Sequence, residues 1–261
     1  MYKRYKLGGI LAAIAAVIGI VGHFVLFSQW YQAGMHAETA EPGCEILLVW
    51  VHPLLANMGM LAGALFAVSA YGYFIQKRWA FTLSVIGLIL ALLGSFFVNI
   101  PYLAAGLPPI YFTLFFPYII IYFLMLILVE GISWSRTLLA LFTGICYILC
   151  WMNGIASTSR IITIGADLFV LVQKLHFVAM VAWGVVTAGI LIKPREWQRV
   201  LGLTAGMTEL IVGIPLGLVT SQELGRFSLF SLAPLLSLVL VVLLVVPGLW
   251  EKWTHSKDSA E

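Results

Sequence analysis

His52, in Leu48–Val49–Trp50–Val51–His52, and His176, in Val172–Gln173–Lys174–Leu175–His176, stand inside stretches otherwise apolar enough to cross a membrane. An ionisable side chain is costly in lipid, generally faces the interior of a helix bundle and marks a functional site. His23 occupies a third apolar stretch. Histidine in such a place has three chemical uses: axial ligation of heme iron, coordination of a metal such as copper or zinc, and hydrogen bonding to a quinone or a neighbouring helix. Clear Met-x-x-Met and His-x-His clusters are missing, which favours heme over copper, with Met58, Met60 and Met180 as further soft axial candidates. Two more charges fall within the apolar stretches, Lys174 and Glu209. Pairing them is the structural reading; a proton relay, or Lys174 as partner of a heme propionate, is the functional one.

The elements that must position these groups follow from composition. Hydrophobic residues make up 62% of the 261, charged residues 10%, and the mean hydropathy is +1.05. Soluble domains are roughly one-quarter charged, so this is an all-α polytopic membrane protein. Spans of about 20 residues, enough for a hydrocarbon core of roughly 30 Å, can be drawn at 7–30, 46–75, 80–104, 110–130, 136–155, 167–192, 198–220 and 227–250. The expectation is therefore about eight transmembrane helices, with little chain left for a soluble domain.

Short loops rich in Lys and Arg stay on the cytoplasmic side. Lys3, Arg4, Lys6, Lys77, Arg78, Arg136, Lys193, Arg195, Arg199, Lys252 and Lys257 fall on one side of the eight-span arrangement, against Arg160 and Arg226 on the other. Both termini are expected in the cytoplasm, in the cytoplasmic (inner) membrane. The net charge of +3 is a topology signal, dispersed through loops, and no nucleic-acid partner is expected. The first apolar run is longer than a signal-peptide core and reads as a retained helix. Cys146 and Cys150, four residues apart, read as small buried side chains, and Cys44 as an outer-face residue.

The halves resemble each other. His52 and His176 are 124 positions apart, Gly94 and Gly213 are 119 apart, and Gly131 and Gly248 are 117 apart. Trp79 and Trp197 open the third and seventh spans. These offsets divide the chain into two same-orientation repeats, 1–132 and 133–261, the second with a short cytoplasmic tail, each expected as a four-helix bundle. His52 and His176 each lie roughly 9–15 Å along their spans from the outer end, at the helical rise, and His23 reaches the same outer layer. His36 and His255 fall in a loop and a tail. Tyr102, Tyr111, Tyr118 and Trp30, near span ends, read as an interfacial belt.

On these residues the chain resembles the heme A synthase family, whose eight spans form two four-helix bundles with histidines in the second, fourth, sixth and eighth. The stretch Val172–His176 is similar to the family's approach to its sixth-span histidine, and His52 matches the second-span one. The family's polar residue four before a Gly is matched by Glu209 and Gly213, while Leu90 stands before Gly94. The fourth- and eighth-span histidines are absent, the corresponding regions reading Phe115–Phe116–Pro117 and Leu232–Ala233–Pro234. Pro53 and Phe177 replace the Arg that follows each retained histidine, and Cys44 alone stands for the outer-loop pair.

The resemblance implies a heme-binding membrane redox protein, with heme b or a related heme near the outer face. His52 and His176 are the expected iron ligands, and His23 and Lys174 further cofactor-binding residues. Heme-dependent oxidoreductase activity is the enzymatic expectation; the missing histidines argue against heme A synthesis itself. The lipid bilayer is one partner, and quinol or respiratory-complex subunits are the candidate electron partners. The first alternative is a quinone-binding or purely structural anchor subunit of a respiratory complex. The second is a transporter.

Overall fold

In the computed structural model, residues 4–39, 44–164 and 167–254 are described, and they form helices without strands. The chain divides into two compact units, Met1–Ile132 and Ser133–Glu261.

The first unit begins with α1 (Tyr5–Val17), which runs through a π-helical segment, Ile18–Gly22, directly into α2 (His23–Glu38). It continues through α3 (Cys44–Phe74), α4 (Trp79–Phe96), the short α5 (Asn99–Ala104) and α6 (Phe112–Phe123), which ends in a second π-helical segment, Leu124–Val129. Within it α3 packs against α1, α2 and α4, α4 packs against α6, and α6 with its π segment returns to α1. The first crossing depends on glycine. A Cβ on Gly19 would lie 2.5 Å from the Cα of Gly63, so the two backbones touch where neither residue has a side chain. Small residues at such crossings drive helix association in lipid, where apolar side chains gain nothing by leaving the tails. Polar pins complete the packing: Ser69 Oγ donates to the carbonyl of Ala80 at 2.7 Å, tying α3 to α4, and the Tyr102 hydroxyl donates to the carbonyl of Trp30 at 2.9 Å.

The second unit consists of α7 (Trp134–Ile164), α8 (Asp167–Ile192), α9 (Glu196–Leu224), α10 (Leu232–Val245) and the short α11 (Leu249–Thr254). Here α7 packs on α8, α8 on α9, α9 on α10, and α10 back on α7. Two arginines clamp helix ends. Arg136 Nε and Nη2 donate to the carbonyls of Ile190 (2.5 Å) and Leu191 (2.8 Å), and Arg199 Nε donates to that of Leu244 at 2.7 Å. The last carbonyls of a helix have no intrahelical donor, so a guanidinium there satisfies them and complements the negative end of the dipole. At the start of α9, Gln198 Oε1 accepts from the backbone N–H of Arg195, closing the first turn.

Among the described residues seven helices are long and apolar enough to span: Tyr5–Ala37, Leu48–Phe74, Trp79–Leu103, Phe112–Val129, Trp134–Ile155, Lys174–Ile192 and Glu196–Gln222. The last apolar helix, Leu229–Val245, is shorter than the expected 227–250. Val246 is extended and Gly248 has φ +77°, with Pro247 between them. Proline disfavours the helical conformation in the residue before it, and glycine takes the left-handed turn at no steric penalty. Large apolar side chains such as Trp50, Val181 and Ile211 point outward, as a lipid-facing surface requires.

Candidate functional site

Each unit buries histidine, and the surroundings differ. In the second unit His176 on α8 is fully buried. Its Nδ1 lies 2.9 Å from Glu209 Oε2 on α9, and the other carboxylate oxygen accepts from Asn153 Nδ2 on α7 at 2.8 Å. Asn153 Nδ2 also reaches the carbonyl of Phe230 at 3.0 Å. Three helices thus converge on one carboxylate. Gly213 makes room for it: a Cβ there would lie 2.6 Å from Glu209 Oε1 and 3.0 Å from the ring of Pro234. His176 Nε2 is buried with no hydrogen-bond partner among the described residues, as are Asn153 Oδ1 and Ser157 Oγ.

The expected partner of Glu209 was Lys174, and here the geometry corrects the sequence reading. Lys174 is exposed, while the carboxylate belongs to His176 and Asn153. Lys174 and His176 are two residues apart on one helix, hence about 200° apart around its axis. A face that presents His176 to Glu209 turns Lys174 away.

In the first unit His52 on α3 is fully buried inside aromatic rings. Phe27 and Tyr31 of α2, Tyr102 of α5 and Tyr111 just before α6 have ring centroids 5.1, 5.6, 5.7 and 5.6 Å from its own. Its Nε2 is 2.8 Å from the Tyr111 hydroxyl, and its Nδ1 has no partner among the described residues. Where the second unit has Glu209 four residues before its glycine, this one has Leu90, so the histidine finds a phenol instead of a carboxylate. His23, the first residue of α2 after the π segment, is also fully buried, and neither ring nitrogen has a partner among the described residues. A Cβ at Gly59 would run into its Cδ2, Cε1 and Nε2. The ring therefore lies with its face on Gly59, and its nitrogens point sideways. Tyr111 and Tyr118 flank it at 6.1 and 6.5 Å.

All four candidates are thereby placed: His23 and His52 share the first unit's interior, His176 sits on a carboxylate in the second, and Lys174 stands outside. His36 is exposed, and His255 lies outside the described residues, as does the side chain of Cys44. Tyr102, Tyr111 and Tyr118, expected at the membrane interface, are 1%, 0% and 0% exposed and build the first unit's interior instead. Asn153 escaped the sequence reading; its signal was an amide in mid-span, followed by Gly154 and, one turn on, by Ser157. Cys146 and Cys150 are buried free thiols, with Cys146 Sγ 3.5 Å from Ser237 Oγ. Among the described residues no three His, Cys, Asp or Glu side chains gather closely enough to hold a bare metal ion.

A ligating histidine needs one ring nitrogen with its lone pair free and the other held as a donor, usually by a carboxylate or carbonyl. His176 sets Nδ1 against a carboxylate and leaves Nε2 buried without a partner among the described residues. Comparison of the chain with protein-family models, with curated proteins and with solved structures returned no match.

Proposed function

We propose that the chain is a heme-binding integral membrane redox protein, resembling heme A synthase in plan, that holds iron through His176. One observation carries this reading: His176 Nδ1 lies 2.9 Å from Glu209 Oε2 while its Nε2 is buried without a partner among the described residues. Glu209 fixes the tautomer and raises the basicity of the open nitrogen, and Asn153 keeps the carboxylate from rotating. A bound heme b or related heme supplies one-electron transfer at that position. Lys174, on the opposite face of α8 from His176, stands outside this site. His52, with Nε2 engaged by Tyr111, serves the first unit's interior. Quinol or another subunit of a respiratory complex is the electron partner in this reading.

The same reading takes the chain as eight spans in two tandem four-helix bundles, in the cytoplasmic membrane with both termini inside. The return of α6 with its π segment to α1, and of α10 to α7, supports it. So does a repeated contact: a Cβ on Gly59 would meet the ring of His23, and one on Gly184 would lie 3.2 Å from the ring of Tyr147. The glycines are 125 positions apart and the rings 124, close to the spacing of His52 and His176.

Replacing His176 with glycine tests the ligand assignment. The purified His176→Gly protein should lose Soret absorbance and regain it with added imidazole, which restores the missing donor without the peptide tether. A spectrum equal to wild type, or a loss that imidazole leaves unchanged in a folded protein, would contradict the assignment.

A further inference from the structure

The first unit buries four polar atoms around its histidines that have no hydrogen-bond partner among the described residues: both ring nitrogens of His23, Nδ1 of His52 and the hydroxyl of Tyr118. A buried group left unsatisfied forfeits the hydrogen bond it would make to water, and lipid offers no water to offset that loss. Groups kept unsatisfied in one interior, on rings that all neighbour Tyr111 or His23, call for a ligand.

The Tyr111 contact decides which histidine is open to one. If the phenol donates to His52 Nε2, the imidazole proton sits on Nδ1, and one hydrogen is left without an acceptor. If the imidazole donates instead, both the phenolic hydrogen and the Nδ1 lone pair are stranded. The first arrangement leaves fewer stranded groups and wins in a low-dielectric interior. His52 then has no free lone pair. His23 retains one in either tautomer. It is also the residue the backbone has been shaped to place. The π-helical segment ends immediately before it, adding a residue to the turn and rotating α2 relative to α1. Gly59 takes the face of its ring, and Gly94, where a Cβ would lie 3.5 Å from His23 Cε1 and 2.8 Å from the carbonyl of Leu55, lets α4 close beside it.

We infer that His23, laid on Gly59 between Tyr111 and Tyr118, is the first unit's iron-ligating imidazole, and that His52, its Nε2 capped by Tyr111, is a packing residue that takes no part in ligation. This rests on the heme reading above and assigns the first unit its own ligand, distinct from His176.

The test uses the full chain, purified after heme-replete expression, with His176→Ala as the background so that any remaining heme reports the first unit. His23→Gly in that background should abolish the residual Soret band, and imidazole should restore it; His52→Leu and Tyr111→Phe should leave the band in place. His23→Met, which preserves bulk and a soft donor, should shift the bands and raise the midpoint potential, as methionine ligation does. It serves where the glycine variant fails to fold. A band unchanged in His23→Gly or His23→Met, or lost in His52→Leu with His23 intact, would overturn the assignment while leaving heme binding standing. Absence of heme from both the wild type and the His176→Ala protein would overturn both readings. A wild type that binds heme with none left in His176→Ala would overturn this one alone.

Discussion

Removing the Glu209 carboxylate is the perturbation whose size the structure defines best. Glu209→Ala strips His176 Nδ1 of its 2.9 Å partner and takes one of two acceptors from Asn153 Nδ2, which keeps the carbonyl of Phe230. Both partners are fully buried. Interhelical hydrogen bonds between neutral groups in membrane proteins average about 0.6 kcal/mol and reach about 1.7, whereas breaking a buried ion pair by removing one member costs about 3–5 kcal/mol. A carboxylate on imidazole and amide donors stands between these cases, so Glu209→Ala should destabilise by about 2–4 kcal/mol. Asn153→Ala, which leaves the carboxylate on His176, should cost about 1–2 kcal/mol. A double-mutant cycle in detergent micelles, read by reversible unfolding, isolates the pairwise energy. His176→Ala with Glu209→Ala should couple by about 1.5–3 kcal/mol, and Lys174→Ala with Glu209→Ala should be additive. Additivity for the histidine pair, or strong coupling to Lys174, would refute the placement of α8 against α9.

Other consequences are equally measurable. Arg136→Ala should lower stability by about 1.5–3 kcal/mol through loss of its charge-assisted bonds to Ile190 and Leu191, and Arg136→Lys should recover only part because an ammonium lacks the fork; thermal unfolding of the purified protein reads both. Gly59→Ala should destabilise by about 1–3 kcal/mol as its methyl displaces His23. Gly144→Ala should be neutral or slightly stabilising in the same assay, since its Cβ would meet only Thr187 Cγ2 at 3.6 Å. Reporter fusions after Lys77 and after Arg195 should both read cytoplasmic, and an external signal at either would reverse the topology.

The membrane class and the ends of most helices were legible because both follow from local composition. Long apolar runs end where charges such as Lys77–Arg78 and Lys193 cluster, and the helices end beside them. The short last span was signalled by Val246–Pro247–Gly248, which the apolar content on either side obscured. What hydropathy cannot convey is rotation about a helix axis. It set Lys174 and Glu209 within apolar stretches as a possible pair but carried no information that Lys174 and His176 occupy opposite faces. The tyrosines failed for a related reason: a Tyr near a span end satisfies both the interfacial pattern and a buried one that pairs its hydroxyl with histidine. Tyr111 found His52, and Tyr102 found the carbonyl of Trp30. His52, His176 and His23 were recognisable because an ionisable residue deep in an apolar run needs a compensating partner, and their neighbours came from other helices that no sequence spacing reveals.

Heme content per chain tests the central proposal most directly. Protein purified after heme-replete expression is assayed for iron porphyrin by pyridine hemochrome, alongside His176→Ala handled identically. The expected result is bound heme in the wild type and a lower ratio in the variant, with both proteins monodisperse and helical. A wild type that is folded and free of heme, or a His176→Ala protein with an undiminished ratio, would contradict it.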